Sequence, residues 1–351
     1  DRANDIYRSQ ARISAASHRI LARSEAVALN AIEAYIDVNR HDRLLSLARK
    51  HVQRHEDLLA LIEQRLDGGA ATIGDFEQTL ERLESAKALV AQIDVAREAA
   101  IAKYKASVGI KPHRLHNVGY ARNLPGNTGI IMASALAKNP RLHALSSEVE
   151  VAGFDKEQFK SELYPNLFFE GSATRGKNLD GTPGRNDEWK AMFVMRWRLY
   201  EGGIRQSRLA ELSERQYEKI AERDILIREL GQTVDTAWGR YSKGWAQVEA
   251  LKRQSVQNKK VIATYQDEYD ANRRNLLDVL DAENANFGTE FELSNVRALH
   301  VFSSYQILAQ MGVLLERMGV AKPSGADDSF ETPSINIIKG FGSSFEIPPL
   351  K

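Results

Sequence analysis

Leu45, Val52, Leu59 and Leu66 recur every seven residues, and Ala48, His55 and Ile62 form a companion row beside them. A seven-residue apolar repeat is the narrow seam of a coiled-coil-like helix. Residues 5–67 around it are mostly Ala, Leu, Arg, Glu, Ile and Gln, all compatible with helix. Asp67-Gly68-Gly69 breaks the pattern, and a second helical stretch runs from about Asp75 to Ser107. At 1.5 Å per residue the first helix is roughly 90 Å long, more than the width of a small domain.

The pattern then returns. Helix-compatible sequence runs from Arg205 to Glu268, breaks over 270–275 and resumes to about Met318. Tyr241, Val248, Ser255, Ile262 and Tyr269 repeat the seven-residue seam. A shift of 203 positions lays Arg2 on Arg205, Ala34 on Ala237, Asp67 on Asp270, Asp75 on Asp278 and Gly109 on Gly312 without a gap. This reads as an internal duplication of a long helical hairpin, although any two long hairpins would share some of these breaks. None of the nine prolines falls in 1–111 or 184–322, which leaves both stretches free of the strongest helix breaker.

Between the copies the period changes. Residues 110–138 are irregular, and Asn139-Pro140 opens a short helix to about Leu163. After Tyr164-Pro165, residues 166–175 are rich in glycine and aromatics with a weak two-residue alternation, and 176–188 form a polar loop. Over 189–200 the odd positions Trp189, Ala191, Phe193, Met195, Trp197 and Leu199 are all apolar. The even positions Lys190, Arg196 and Arg198, with Met192, Val194 and Tyr200, are mostly polar or basic. Strict period two makes a strand with one apolar and one polar face. About 12 residues suit a tilted strand that crosses a bilayer, with tryptophans where interfacial girdles sit. An amphipathic hairpin on a soluble sheet has the same pattern. Yet one hairpin alone is marginal in water, and the chain offers no obvious further strands, so neighbouring copies are the natural source.

Composition narrows the field. Lys and Arg number 48 against 47 Asp and Glu, a net charge of +1, which argues against a duplex nucleic-acid partner. The longest apolar run, 130–137, is far short of the roughly 20 residues a spanning helix needs. With no cysteine, disulfide scaffolds, thiolate metal sites and cysteine nucleophiles are excluded. The chain starts at Asp1 rather than Met, as a processed form or fragment would.

At this point the sequence resembles the outer membrane factor family, the TolC-like channels of Gram-negative efflux pumps and type I secretion systems. The matching residues are Asn139-Pro140-Arg141-Leu142, Leu163-Tyr164-Pro165-Asn166-Leu167, Leu199-Tyr200-Glu201-Gly202-Gly203 with Arg205, and the 275–282 segment Asn-Leu-Leu-Asp-Val-Leu-Asp-Ala. Their order and spacing extend over residues 1–320. The resemblance implies a mainly α fold with a transmembrane β-hairpin. Long α-helical hairpins would form a trimeric α-barrel in the periplasm, continued by strands of an outer-membrane β-barrel. It implies a homotrimer, a periplasmic membrane-fusion adaptor, an inner-membrane ABC or proton-driven transporter and outer-membrane lipid as partners. Stretches 277–282 and 302–308 lean toward the secretion branch.

The organisation expected is a first helical hairpin over 1–109, an equatorial linker over 110–138, a short helix over 139–163, a transmembrane β-hairpin over 164–203, a second helical hairpin over 204–320 and an equatorial or flexible tail over 321–351. Since the offset sets Asp1 beside Ile204, a further strand pair, its preceding helix and a signal peptide are expected upstream.

The resemblance also names sites. Asp278 and Asp281 would be the acidic rings that constrict the periplasmic tip, with Asp75, Tyr269 and Arg274 as its latch. Asp278 and Asp281 are three apart and share a helical face, and carboxylate rings attract cations. Asp75 and Asp278 equally suit the first turns of their helices. On the strand, Trp189, Phe193, Met195 and Trp197 would face lipid, and Lys190, Arg196 and Arg198 the lumen. Enzyme readings fare poorly. His51 and His55 are four apart but lack the glutamate of a zincin, and His113 and His116 suggest no third ligand. There is no phosphate loop, so no catalytic, cofactor or metal site is expected. The rival reading is a soluble coiled-coil scaffold or adaptor with no transport role.

Overall fold

The computed structural model describes residues 2–178, 181 and 183–326. In chain order its elements are α1 (Arg2–Asp67), α2 (Ile73–Val108), α3 (Thr128–Lys138), α4 (Pro140–Ser161), β1 (Asn166–Lys177), β2 (Arg185–Arg196), α5 (Ile204–Asp270), α6 (Leu276–Gln310) and α7 (Leu314–Arg317). At 66 and 67 residues, α1 and α5 are each about 100 Å long. Each folds back on a shorter partner, α1 on α2 and α5 on α6.

The two helical hairpins keep the 203-residue offset element by element. α1 and α5 end at Asp67 and Asp270, and α2 and α6 begin at Ile73 and Leu276. The N-caps Thr72 and Asn275 correspond as well, each side-chain oxygen accepting a first-turn N–H. Gly109 and Gly312 follow the second helices with φ of 86° and 70°, the left-handed region open to glycine. At Gly312 glycine is required twice over, because a Cβ would lie 2.4 Å from the Lys138 carbonyl oxygen.

The hairpins meet where α1 packs on α6, and α4 fills the angle between α1 and α5. Their common core holds Ile36, Ile131, Val234, Val301, Ile307 and Leu314. Full burial of each such side chain contributes roughly 1.5–3 kcal/mol. The 109–127 segment is laced onto this core. The Tyr305 hydroxyl donates to the Gly119 carbonyl at 2.9 Å, and the Ala121 N–H donates to Ser304 Oγ at 2.9 Å. Glu25, buried on α1, accepts the Leu314 and Leu315 N–H groups at 3.1 and 3.2 Å and so fixes α7. Burial raises the Glu25 pKa, and these two bonds oppose the shift.

Four expectations need correction. Residues 128–138, read as irregular, are helical: Asn127 accepts the Ile130 N–H at 2.9 Å, and Ile131 and Ala135 are buried. The seam of α1 does not bury both rows throughout: Leu45, Ala48, His55 and Ile62 are buried, while Val52, Leu59 and Leu66 are only half-buried. α6 stops at Gln310 rather than continuing to Met318, because Gly312 turns the chain against α3 and α4. The second strand is Arg185–Arg196, not 189–200. β1 begins directly after Pro165, which has no N–H to donate, so the ladder ends at the Asn166–Arg196 pair. Trp197 and Arg198 therefore lie beyond the strand. Most of the expected 321–351 tail, from residue 327 on, lies outside the described residues.

Candidate functional site

Two regions concentrate the predicted residues. The first is the strand pair. The antiparallel register sets Leu167 opposite Met195, Phe169 opposite Phe193 and Ala173 opposite Trp189. Because side chains alternate, these residues and Ala191 share one face, apolar along 167–173 and 189–195 and charged toward the loop, where Arg175, Lys177, Arg185 and Asp187 continue it. The Phe169 and Phe193 rings are 5.2 Å apart. Trp189 is 83% exposed and Phe193 77%, so nothing among the described residues covers this face. Glu170, Ser172, Thr174, Lys190 and Arg196 lie on the other face, with Phe168, Met192 and Val194 among them. There Arg196 pairs with Glu170 at 3.1 Å. Among the described residues the sheet has only these two strands, so neither edge is paired there. Trp197, just past the ladder, donates from Nε1 to the Leu163 carbonyl at 3.2 Å. Arg198 and Arg205 both bind Glu201, at 3.0 and 2.8 Å, across the Gly202-Gly203 turn into α5.

The second region is the far end of the helical hairpins. Here Leu58 and Ile62 of α1 pack with Tyr269, Leu276, Val279 and Leu280. Arg65 lies 4.4 Å over the Tyr269 ring and donates to Asn272 Oδ1 at 2.6 Å. Burial raises the Tyr269 pKa, Arg65 opposes the shift, and the Asp75 charge adds to it. Arg274 stacks on Tyr265 at 3.8 Å while donating to Glu268 at 2.6 Å and Asp278 at 2.9 Å. It thereby clamps the end of α5 to the start of α6.

The structure thus joins Arg274 to Asp278 directly, with Tyr269 buried in the same tip. Asp281, one turn on, faces Arg82 of α2 at 3.8 Å, so it links the two hairpins. Asp75 is spent locally. Its carboxylate closes a capping box with Thr72, accepting from the Thr72 N–H and Oγ at 2.9 Å each. Sequence reasoning missed Arg65, Arg82, Tyr265 and Glu268. The one signal for Arg65 was its place in a last helical turn, where a cation is favoured.

His51 and His55 pack against each other on α1. Both are buried, with Nε2 atoms 3.2 Å apart, and His51 stacks on Phe287. No group of three or more metal-capable side chains occurs among the described residues. Nor is any described helix long and apolar enough to cross a membrane.

The sequence profile described as outer membrane efflux protein matches residues 131–312, from α3 through both strands to Gly312. The chain belongs to that family. Members sit in the outer membrane of Gram-negative bacteria, and this chain has their mainly helical fold with a small β-hairpin. It is 25% identical over 326 residues to the outer membrane efflux protein BepC of Brucella suis, covering 88% of this chain and 69% of the relative. The alkaline protease secretion protein AprF of Pseudomonas aeruginosa is 22% identical over 306 residues, 85% of this chain and 64% of its own length. The chain therefore spans about two thirds of these relatives. Its fold matches the MtrE outer membrane channel of Neisseria gonorrhoeae with a TM-score of 0.75 at 17% identity, covering 90% of this chain and 72% of that one.

Proposed function

We propose that the protein is the outer-membrane duct of a three-part export machine, assembled as a homotrimer. The observation that carries this reading is the uncovered apolar face of the β1–β2 pair, borne on helices about 100 Å long. An apolar face flanked by two open edges is stable only against lipid and against further strands. Trp189, Phe193 and Met195 face the lipid, Lys190 and Arg196 line the watery lumen, and Trp197 and Arg198 sit at the membrane rim. The helical hairpins wall a continuing tube through the periplasm.

Asp278 and Asp281, repeated in three copies, form the acidic constriction at the periplasmic tip, and Tyr269 and Arg274 latch it. Asp75 contributes by holding the start of α2. A periplasmic membrane-fusion adaptor and an inner-membrane ABC or proton-driven transporter supply selection and energy. The duct itself conducts passively, with neither catalysis nor cofactor.

The printed names of the relatives span both efflux and protease secretion. Deleting the gene distinguishes the two cargo classes. Accumulation of a fluorescent dye inside the cell marks efflux, and retention of a secreted protein marks secretion. A deletion strain unchanged in both would contradict an export role.

A further inference from the structure

Where α1, α6 and the 117–118 segment meet, a cavity of about 240 Å³ is lined by three arginines, Arg40, Arg43 and Arg297. Its walls are mixed, with Ile36, Val118, Ala298 and Val301 apolar and Asn39, Asn117 and Ser294 polar. Arg40 is already engaged, by Asp37 at 2.6 Å and Asn295 at 2.9 Å. Arg43 and Arg297 have no hydrogen-bonded or ion-paired partner among the described residues. Burial and the nearby Arg297 charge both pull the Arg43 pKa down, so the two guanidiniums repel each other. The carboxylate that opposes this, Glu290, is held by Lys259 at 2.6 Å and Ser255 at 3.2 Å. Arg43 is exposed at the mouth of the cavity and Arg297 is half-buried, and an anion set between them would relieve their repulsion.

We propose that this cavity is a binding site for a small organic carboxylate, gripped by Arg43 and Arg297. A planar guanidinium matches a carboxylate in two parallel hydrogen bonds. The apolar part of the walls suits a short hydrocarbon body, and the volume is below the roughly 300 Å³ at which drug-sized pockets begin. An organic carboxylate uses both kinds of wall, its body against Ile36, Val118 and Val301 and its oxygens toward the arginines, Asn39, Asn117 and Ser294. The site is distinct from the strand pair and from the helix tips, and it does not depend on conduction.

The test is calorimetric titration of benzoate into the detergent-solubilised protein, against sodium chloride at equal ionic strength and against benzyl alcohol as the uncharged analogue. Saturable benzoate binding is expected, with roughly tenfold weaker affinity for Arg43→Gln or Arg297→Gln. If Arg43→Gln fails to fold, Arg43→Lys replaces it: it keeps the charge but loses the paired hydrogen bonds, so weaker binding is expected of it as well. Three results would overturn the proposal: no heat beyond that of chloride, benzyl alcohol binding as tightly as benzoate, or full affinity in the folded variants.

Discussion

The guanidinium of Arg65, in the last turn of α1, lies 4.4 Å from the ring centroid of Tyr269, in the last turn of α5. Two hairpins duplicated in pattern are thereby joined at their tips by a pair that no local sequence window contains. Removing the guanidinium loses the stacking and the bond to Asn272, about 1–2 kcal/mol of local stability. Arg65→Ala should therefore speed amide hydrogen exchange over residues 265–272 while leaving residues 230–240 unchanged. Uniform exchange across both regions would show that the contact contributes nothing.

Gly312 and Gly109 make a matched pair of substitutions. Both have positive φ, so alanine at either costs about 1–2 kcal/mol in backbone strain. Only at Gly312 does the new Cβ also meet backbone, 2.4 Å from the Lys138 oxygen, whereas Gly109 faces open space. Gly312→Ala should lower the urea midpoint by clearly more than Gly109→Ala, and equal losses would refute the close approach.

The His51–His55 pair makes the protein acid-sensitive. Burial and the His55 charge lower the His51 pKa to about 4, and burial and Arg82 lower that of His55. Between roughly pH 6.5 and 4 the unfolded chain binds protons that the folded chain refuses, so stability falls as pH falls. For His51 the slope approaches about 1.4 kcal/mol per pH unit within this window, and His55 adds in the same direction. Burial raises the pKa of Glu25 and Glu283, which opposes the trend on the acid side. Replacing both histidines (His51→Phe with His55→Leu) should flatten the urea midpoint between pH 7.5 and 5, relative to the unaltered protein. The same slope in both would place the acid response elsewhere.

Phe193→Arg sets a cation on the apolar strand face. If that face meets lipid, the substitution costs about 2–4 kcal/mol near the bilayer midplane and less toward the interfaces. Assembly into liposomes should drop several-fold, while Lys190→Gln on the opposite face should assemble normally. Equal yields for both variants would remove the assignment of faces.

Much of the fold was legible because breaks announce themselves. Asp67-Gly68-Gly69 and the 270–275 segment mark the hairpin tips within a residue or two, and period two marked the apolar strand face. What failed did so for physical reasons. α3 was hidden because Pro125, Gly126 and Gly129 outweigh its apolar run in any local reading. The two rows of α1 looked like one seam, yet of the first row only Leu45 is buried, beside Ala48, His55 and Ile62 of the second, while Leu44 and Leu58 outside both rows are buried too. The strand was read four residues late because alternation continues past the point where Pro165 ends its partner. At the tip the acidic residues stood out. Arg65 binds a partner roughly two hundred positions away, and Arg82 meets Asp281 in the other hairpin, which no spacing rule reveals.

The central claim is a conduit closed by carboxylates at its tip, and single-channel recording in planar bilayers tests it most directly. The unaltered protein should give a small, cation-selective conductance. Asp278→Asn with Asp281→Asn removes the ring charge and its ties to Arg274 and Arg82, so conductance should rise and cation selectivity weaken. Identical conductance and selectivity in the two proteins would contradict the account.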